Sequence, residues 1–204
     1  HLDKGQMWIG TTTDGAYRLQ LDKNELTHPI LKGNITSIYQ DSEGELWIGS
    51  WEEGLHHVKT DGTIEIFEYD AKNPYSISSN FVRACCEDNL GNIWIGTFNG
   101  LNRYDKSTGL FQNHTASDAQ SDGLTHSSIW CIVKDNQGTL WLGTYFGGVN
   151  YFNPEYEIYS RYMYSPIEKK GLSNPVVGRT IEDKDGNLWI GTEGGGLNYY
   201  NRRT

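Results

Sequence analysis

The sequence predicts an all-β protein: a β-propeller of four-stranded antiparallel blades, present as an incomplete arc of about five blades from a larger ring. Three observations predict it. The pattern Met7-Trp8-Ile9-Gly10-Thr11 returns as Leu46-Trp47-Ile48-Gly49-Ser50, Ile93-Trp94-Ile95-Gly96-Thr97, Leu140-Trp141-Leu142-Gly143-Thr144 and Leu188-Trp189-Ile190-Gly191-Thr192, so the tryptophans stand 39, 47, 47 and 48 residues apart. An Asp-x-x-Gly turn precedes four of the five, at Asp41, Asp88, Asp135 and Asp183. No stretch carries apolar residues at helical spacing for more than one turn. A repeat of this length holding four short strands is the signature of a propeller blade, whereas a helical solenoid needs the 3.6-residue period that is missing.

Each full unit builds in the same order. A β-rich run comes first: Ile35 to Gln40, Phe81 to Glu87, Ser128 to Lys134 and Val176 to Glu182. The turn follows, with Asp first and Gly fourth, a chemistry that suits a type I turn with a following bulge and closes a hairpin. The turn aspartates are expected to accept hydrogen bonds from turn amides. The Trp-Ile-Gly strand is next. Its Trp and apolar neighbours are expected to fill the space between blades, and its Gly to remove a side chain where backbones crowd. A short loop leads to Gly54-Leu55, Gly100-Leu101, Gly148-Val149 or Gly196-Leu197, which open a third strand. A fourth follows, such as Ile64 to Tyr69 or Glu157 to Tyr164.

The blade units read as 1–33 (partial), 34–74, 75–120, 121–170 and 171–204 (partial). The first is expected to begin at its second strand, with Leu2 where the turn Asp should stand and Asp3 beside it. The last is expected to stop near Tyr200, after its third strand. Closed propellers commonly have more than five blades, hence the reading as an arc. An open arc leaves strand edges unpaired, which invites association.

Composition bounds the function. Of 204 residues, 17 are Lys or Arg and 26 are Asp or Glu, a formal charge of −9 that argues against a nucleic-acid partner. Aromatic residues reach 13%, too many for a disordered chain, and the 24 glycines show no collagen period. No run of about 18 apolar residues exists, so no membrane contact is expected of this segment. The chain starts at His1 with no charged and apolar leader pattern, and reads as processed or cut from something longer. Cys85, Cys86 and Cys131 are odd in number and give no disulfide framework. They read as buried apolar thiols, with Cys85 and Cys86 on opposite strand faces. No metal site and no cofactor is expected. Asn34-Ile35-Thr36 and Asn113-His114-Thr115 match the glycosylation acceptor pattern, which is frequent by chance.

The pattern Ile-x-x-Ile-x-x-Asp-x-x-Gly-x-Leu-Trp-Ile-Gly-Thr-x-x-Gly-Leu-Asn-x-Tyr resembles the two-component regulator propeller repeat. Asp88 to Thr97 with Gly100 to Asp105 carries the resemblance, as does Asp183 to Tyr199. It covers nearly the whole chain in five copies. The resemblance implies the periplasmic sensor of a hybrid two-component histidine kinase of Bacteroidetes type, part of an inner-membrane protein. It further implies an oligosaccharide ligand, a homodimer in full-length form, and the remainder of the sensor chain as partner. The kinase modules the resemblance implies are not in this sequence, so the segment itself is expected to be no enzyme.

Blade-to-blade comparison separates fold from site. Positions identical in every blade read as fold; positions that vary on one face are binding candidates. Immediately after each Trp-Ile-Gly-Ser/Thr stand Thr12, Trp51, Phe98, Tyr145 and Glu193, so three consecutive blades place an aromatic ring there. Such rings would stack on the C–H faces of a sugar, or would cover the edge of the next blade. Glu52, Glu53 and Asn99 follow and could bond hydroxyls, or be solvated loop residues. A second set opens the first strand five residues before the turn Asp: Thr36, Arg83, Trp130 and Gly178, with Arg179 next. Arg83 there could take a carboxylate or sulfate in a bidentate contact, or be satisfied by carbonyls lining the channel. The inter-blade loops 71–80, 115–127 and 165–175 are long enough to be functional, and His126 lies in one of them. Two other functions compete. A protein-interaction scaffold would use the aromatic row for a peptide. A propeller glycosidase or lyase fits less well: sialidase turns place Asp two residues before Gly rather than three, and no non-repeating pair of acids stands out.

Overall fold

The computed structural model describes residues 2–3, 5–27, 29–116, 123–154, 158–165 and 171–202. The stretches 117–122 and 166–170 of the long loops, and Glu157 of the expected fourth strand, lie outside them. Among the described residues, nineteen strands form five antiparallel sheets in chain order. The first holds β1 (Leu2–Asp3), β2 (Gln6–Gly10), β3 (Ala16–Gln20) and β4 (Glu25–Leu26). The second holds β5 (Ile35–Gln40), β6 (Leu46–Ser50), β7 (Leu55–Val58) and β8 (Ile64–Phe67). The third holds β9 (Val82–Glu87), β10 (Ile93–Thr97), β11 (Gly100–Asp105) and β12 (Leu110–His114). The fourth holds β13 (Ile129–Lys134), β14 (Leu140–Thr144), β15 (Val149–Asn153) and β16 (Ile158–Tyr162). The fifth holds β17 (Val177–Glu182), β18 (Leu188–Thr192) and β19 (Gly196–Tyr200). The first strands β5, β9, β13 and β17 lie side by side. The architecture is therefore an all-β, incomplete propeller.

The first unit differs from its sequence reading. It does not begin at its second strand: Leu2 pairs with Met7 and Asp3 with Gln6, giving the first sheet a short inner strand. Gly5, at φ 78°, turns this hairpin as the fourth-position glycines turn the others.

The turns are built by their aspartates. Gly44, Gly91, Gly138 and Gly186 sit at φ between 81° and 85°, a region that costs a residue with a Cβ. Each donates its amide to the Asp carbonyl three residues back, at 3.0–3.4 Å. Asp88 Oδ1 accepts from the amides of Leu90 and Asn92 at 2.8 and 2.9 Å. Its Oδ2 accepts the indole Nε1–H of Trp94 at 2.7 Å. The same indole bond recurs from Trp47 to Asp41, Trp141 to Asp135 and Trp189 to Asp183.

The core sits between blades. Trp47, fully buried, packs with Val82, Ile93, Tyr104 and Phe111 of the third sheet. Trp94 packs with Ile129, Leu140 and Phe152 of the fourth, and Trp141 with Leu188 and Ile190 of the fifth. Trp8 packs against the cluster of Ile35, Leu46 and Ile48. The glycine two residues after Trp8, Trp47, Trp94 and Trp141 lets the next blade approach. A Cβ on Gly96 would stand 2.7 Å from Ile129 Cγ2, and one on Gly49 2.7 Å from Val82 Cγ1.

Polar side chains then tie neighbouring blades and loops. Glu87 accepts the Ser42 amide at 2.8 Å, and Glu182 accepts that of Asn136 at 3.0 Å. Lys106 bridges Asp41 and Glu43 of the preceding blade at 3.1 and 2.7 Å. Arg202, at the matching position of the fifth sheet, pairs with Asp135 and Glu182. On the third strands, Asn102 accepts the Ser78 amide at 2.8 Å and Asn150 that of Thr125 at 3.0 Å, which pins the inter-blade loops.

Candidate functional site

A break in strand register creates the site. On β5, Ile35 pairs with Ser50 and Ser37 with Gly49, so Thr36 is an unpaired bulge residue. The same break leaves Arg83 between Val82 and Ala84, Trp130 between Ile129 and Cys131, and Gly178 between Val177 and Arg179. A bulge re-aims a side chain out of the alternating pleat. Four blades thus project their bulge positions to one place, where the first strands converge.

The positions after the Trp-Ile-Gly strands meet them there. The amides of Trp51, Phe98, Tyr145 and Glu193 each donate, at 3.0 Å, to the residue two places before a bulge: Asn34, Phe81, Ser128 and Val176. These two variable sets are therefore held together by one recurring backbone bond.

Thr12, Asn34, Ile35, Thr36, Trp51, Arg83, Trp130, Gly178 and Arg179 line a cavity of about 580 Å³, a size that suits a small ligand. Every blade contributes to it. The Arg83 guanidinium carbon lies 4.2 Å from the Trp130 ring centroid and 4.9 Å from that of Trp51. Trp130 in turn stacks on Tyr145, centroids 5.3 Å apart and 9° from parallel. Phe81 braces Trp51 edge-on at 5.3 Å. Cation–π contacts of this kind contribute roughly 0.5–2 kcal/mol each and fix the plane of the guanidinium. Burial draws the Arg83 guanidinium below its ordinary value, yet at neutral pH it stays charged. Arg83 Nε and Trp130 Nε1 are buried donors with no hydrogen-bond partner among the described residues.

A second cavity of about 330 Å³ shares Thr36, Arg83 and Arg179 and continues past Ser37, Cys85, Cys131 and Thr180. Burial pushes the Cys85 thiol up to about 12 and the Cys86 thiol to about 11. Cys85 packs toward Trp47 and Val82, Cys86 toward Trp94 and Ile132, on opposite faces of β9. These are apolar packing groups.

Of the residues singled out in sequence, Trp51, Arg83, Trp130 and Arg179 line the cavity, and Tyr145 backs it through Trp130. Three do not. Phe98, 54% exposed, leans on Phe81 at 6.0 Å instead. The Asn99 amide turns back onto Thr97 Oγ1 at 3.1 Å. Glu53 donates its amide to Ser50 Oγ at 2.8 Å, and its carboxylate lies against Gly33. Asn34 and Phe81 are the residues sequence reading missed. Their signal was available: the position two before each bulge varies from blade to blade as Asn34, Phe81, Ser128 and Val176.

The acidic cluster of Asp41, Glu43 and Glu45 brings three carboxylates within reach of one ion. The Lys106 ammonium already stands there, against Asp41 and Glu43. Its charge takes the place a metal would need.

Comparison with known proteins agrees with this architecture. A family model described as two component regulator propeller matches residues 29–52, 76–99, 123–146 and 171–194. Each match runs from the inter-blade loop through the bulge and the turn to the variable position after the Trp strand, Trp51, Phe98, Tyr145 or Glu193. No curated protein matches the chain in sequence. A structure described as the extracellular domain of a hybrid two component system from B. thetaiotaomicron is similar over 97% of this chain and 25% of its own, at 25% identity and TM-score 0.78. A second such domain from the same organism is similar over 98% of this chain and 26% of its own, at 22% identity and TM-score 0.77. The chain thus spans about a quarter of the length of these structures. Virginiamycin B lyase from Staphylococcus aureus shares the fold over the whole of this chain and 68% of its own, at 17% identity and TM-score 0.70. The recurrence of the family pattern in four of the five blades, each time carrying the Asp–Trp pair, decides the assignment: these four repeats belong to the two component regulator propeller family.

Proposed function

We propose that the chain is a ligand-sensing propeller segment of a hybrid two component sensor, lying in the periplasm and recognising an oligosaccharide. One observation carries the reading. The fold-defining residues recur from blade to blade, while the variable bulge positions Thr36, Arg83, Trp130 and Gly178 come together at one cavity, with Trp51 and Arg179 beside them. The exposed part of the Trp51 indole offers apolar surface to sugar C–H groups, and Asn34, Thr36 and the arginines offer polar groups to hydroxyls and substituents. The similarity to extracellular domains of hybrid two component systems supports the sensory role and the compartment. Binding would act by differential affinity. A ligand that prefers one arrangement of the receptor dimer shifts that equilibrium and reorients what lies beyond the membrane.

Among the described residues the cavity lining holds no carboxylate pair of the kind glycoside hydrolysis uses. We therefore read it as a binding site. A protein-interaction propeller is the second reading, favoured by Phe98 and Phe146, which lie 54% and 55% exposed.

Calorimetric titration of the complete sensor protein against defined oligosaccharides tests the proposal, with a Trp51→Ala/Tyr145→Ala variant alongside. Saturable binding of one glycan class, weakened tenfold or more in the variant, is the expected result. Binding that survives the variant moves the site elsewhere. Absence of glycan binding together with capture of a defined protein partner through Phe98 and Phe146 would favour the second reading. Cleavage of any glycan in the panel would overturn the assignment as a binding module.

A further inference from the structure

We infer that the ligand carries an anionic group, a carboxylate or a sulfate ester, seated between Arg83 and Arg179 at the cavity. The inference rests on the saccharide reading above and names the class of sugar.

Charge is the first argument. The protein carries a formal charge of −9, yet among the described residues the cavity is lined by two arginines and no acid. A low-dielectric wall on one side strengthens the field such a pair presents to an incoming anion.

The state of Arg83 is the second. Three other cations are paired with acids: Lys59 with Glu65, Lys106 with Asp41 and Glu43, Arg202 with Asp135 and Glu182. No ion pair joins Arg83 to an acid among the described residues, and its Nε has no hydrogen-bond partner there. The bulge nonetheless holds it between two indoles, at 4.2 and 4.9 Å from their centroids. A guanidinium held against aromatic rings keeps N–H groups free for a bidentate acceptor. A carboxylate or a sulfate presents two oxygens at the matching spacing.

The third argument is the balance of donors and acceptors. Trp130 Nε1 is a second unpartnered donor beside Arg83, and Arg179 enters the same cavity from the next blade. The Thr36 hydroxyl donates to the Val82 carbonyl. The side-chain groups here are mainly donors, which complements an oxyanion better than a neutral hydroxyl cluster that both donates and accepts.

The test titrates the complete sensor protein with oligosaccharide pairs that differ in the acidic group: oligogalacturonates against their methyl esters, and sulfated galactan oligosaccharides against their desulfated forms. Sodium sulfate is titrated separately, read by tryptophan fluorescence. The expected result is that one acidic set binds at least tenfold more tightly than its neutral partner. Arg83→Gln and Arg179→Gln each remove most of that difference, and the affinity falls as salt rises. Which set binds tells carboxylate from sulfate. Arg179 is exposed, so its variant keeps the test valid if Arg83→Gln unfolds the protein. Neutral and acidic partners binding alike, or both variants retaining the acidic preference, would overturn the inference and leave the saccharide reading standing. Sulfate binding lost in the variants, with no saccharide bound, would support the anion subsite and overturn the saccharide reading. Binding of neither sulfate nor any saccharide overturns both.

Discussion

Trp141 donates its indole Nε1–H to Asp135 Oδ2 at 2.6 Å, across six residues of the same hairpin. The second oxygen of Asp135 takes the amides of Gln137 and Thr139 at 2.8 and 2.9 Å. One carboxylate therefore closes the turn and fixes the rotamer of the Trp that fills the next inter-blade space. The arrangement explains why Asp and Trp keep a constant offset while residues between them change.

That double duty predicts a steep cost. In Asp88→Ala, two turn amides and the Trp94 indole lose their acceptor together. Buried donors left without partners cost about 1–3 kcal/mol each, so a loss of at least about 3 kcal/mol is expected in urea unfolding. Asp183→Ala should cost less than half of that, because Trp189 is 36% exposed and water replaces the lost acceptor. Equal costs at the two sites would show that the indole bond contributes nothing.

The close approach of blades makes a second prediction. A Cβ on Gly49 would lie 2.7 Å from Val82 Cγ1, and one on Gly96 2.7 Å from Ile129 Cγ2. Gly49→Ala and Gly96→Ala should each destabilise by about 1–3 kcal/mol through overpacking. At Gly191 the nearest atom to an added Cβ is 3.6 Å away, so Gly191→Ala should be neutral or slightly stabilising. Thermal melting of the three variants checks this; a destabilised Gly191→Ala alongside a tolerated Gly49→Ala reverses the argument.

The Lys106 strut predicts a pH dependence. Burial raises the Asp41 carboxyl, but the Trp47 indole, the Lys106 ammonium and the Glu45 amide outweigh it and hold the group below its usual range. Its folded value thus lies below its unfolded one. The stabilisation is present above about pH 4, where the unfolded carboxylate ionises, and is lost as pH falls through the folded value. Lys106→Met should cost about 1–3 kcal/mol at pH 7, between an exposed and a fully buried ion pair. The gap between parent and variant should shrink below about pH 4. Urea midpoints for both proteins across this range provide the measurement. A gap independent of pH would place the role of Lys106 in packing.

How far the site was legible follows from these relationships. The repeat, the turn glycines and the strand runs were readable because each is a local pattern; β9, β13 and β17 merely start one residue later than expected. The short β1 was hidden because Leu2 stands at the aspartate position of the repeat. The bulges left no residue-type signature, since Thr36, Arg83, Trp130 and Gly178 share no chemistry. They are events of register between two strands, yet their fixed distance from the turn Asp still marked the right positions. Which way a loop side chain leans was not readable. Trp51 and Phe98 occupy equivalent positions, and Phe81 between them decides that Trp51 faces Arg83 while Phe98 stays outside. The clamps at Lys106 and Arg202 were missed because Pro154 stands at the matching place in the fourth blade and breaks the pattern.

The cysteines give the last prediction. Cys85, Cys86 and Cys131 are free and buried, and burial raises all three thiols, Cys85 to about 12 and Cys86 to about 11. Alkylation proceeds through the thiolate, whose population at pH 8 falls about tenfold for each unit of increase. Cys85 and Cys131 also line the inner cavity, so steric access alone does not protect them. Iodoacetamide at pH 8 should therefore leave all three unlabelled in the folded protein and label all three in urea, as read by intact mass. Fast labelling of Cys85 or Cys131 in the folded protein would mean that the first strands separate, and that the cavity they enclose opens, on the time scale of the reaction.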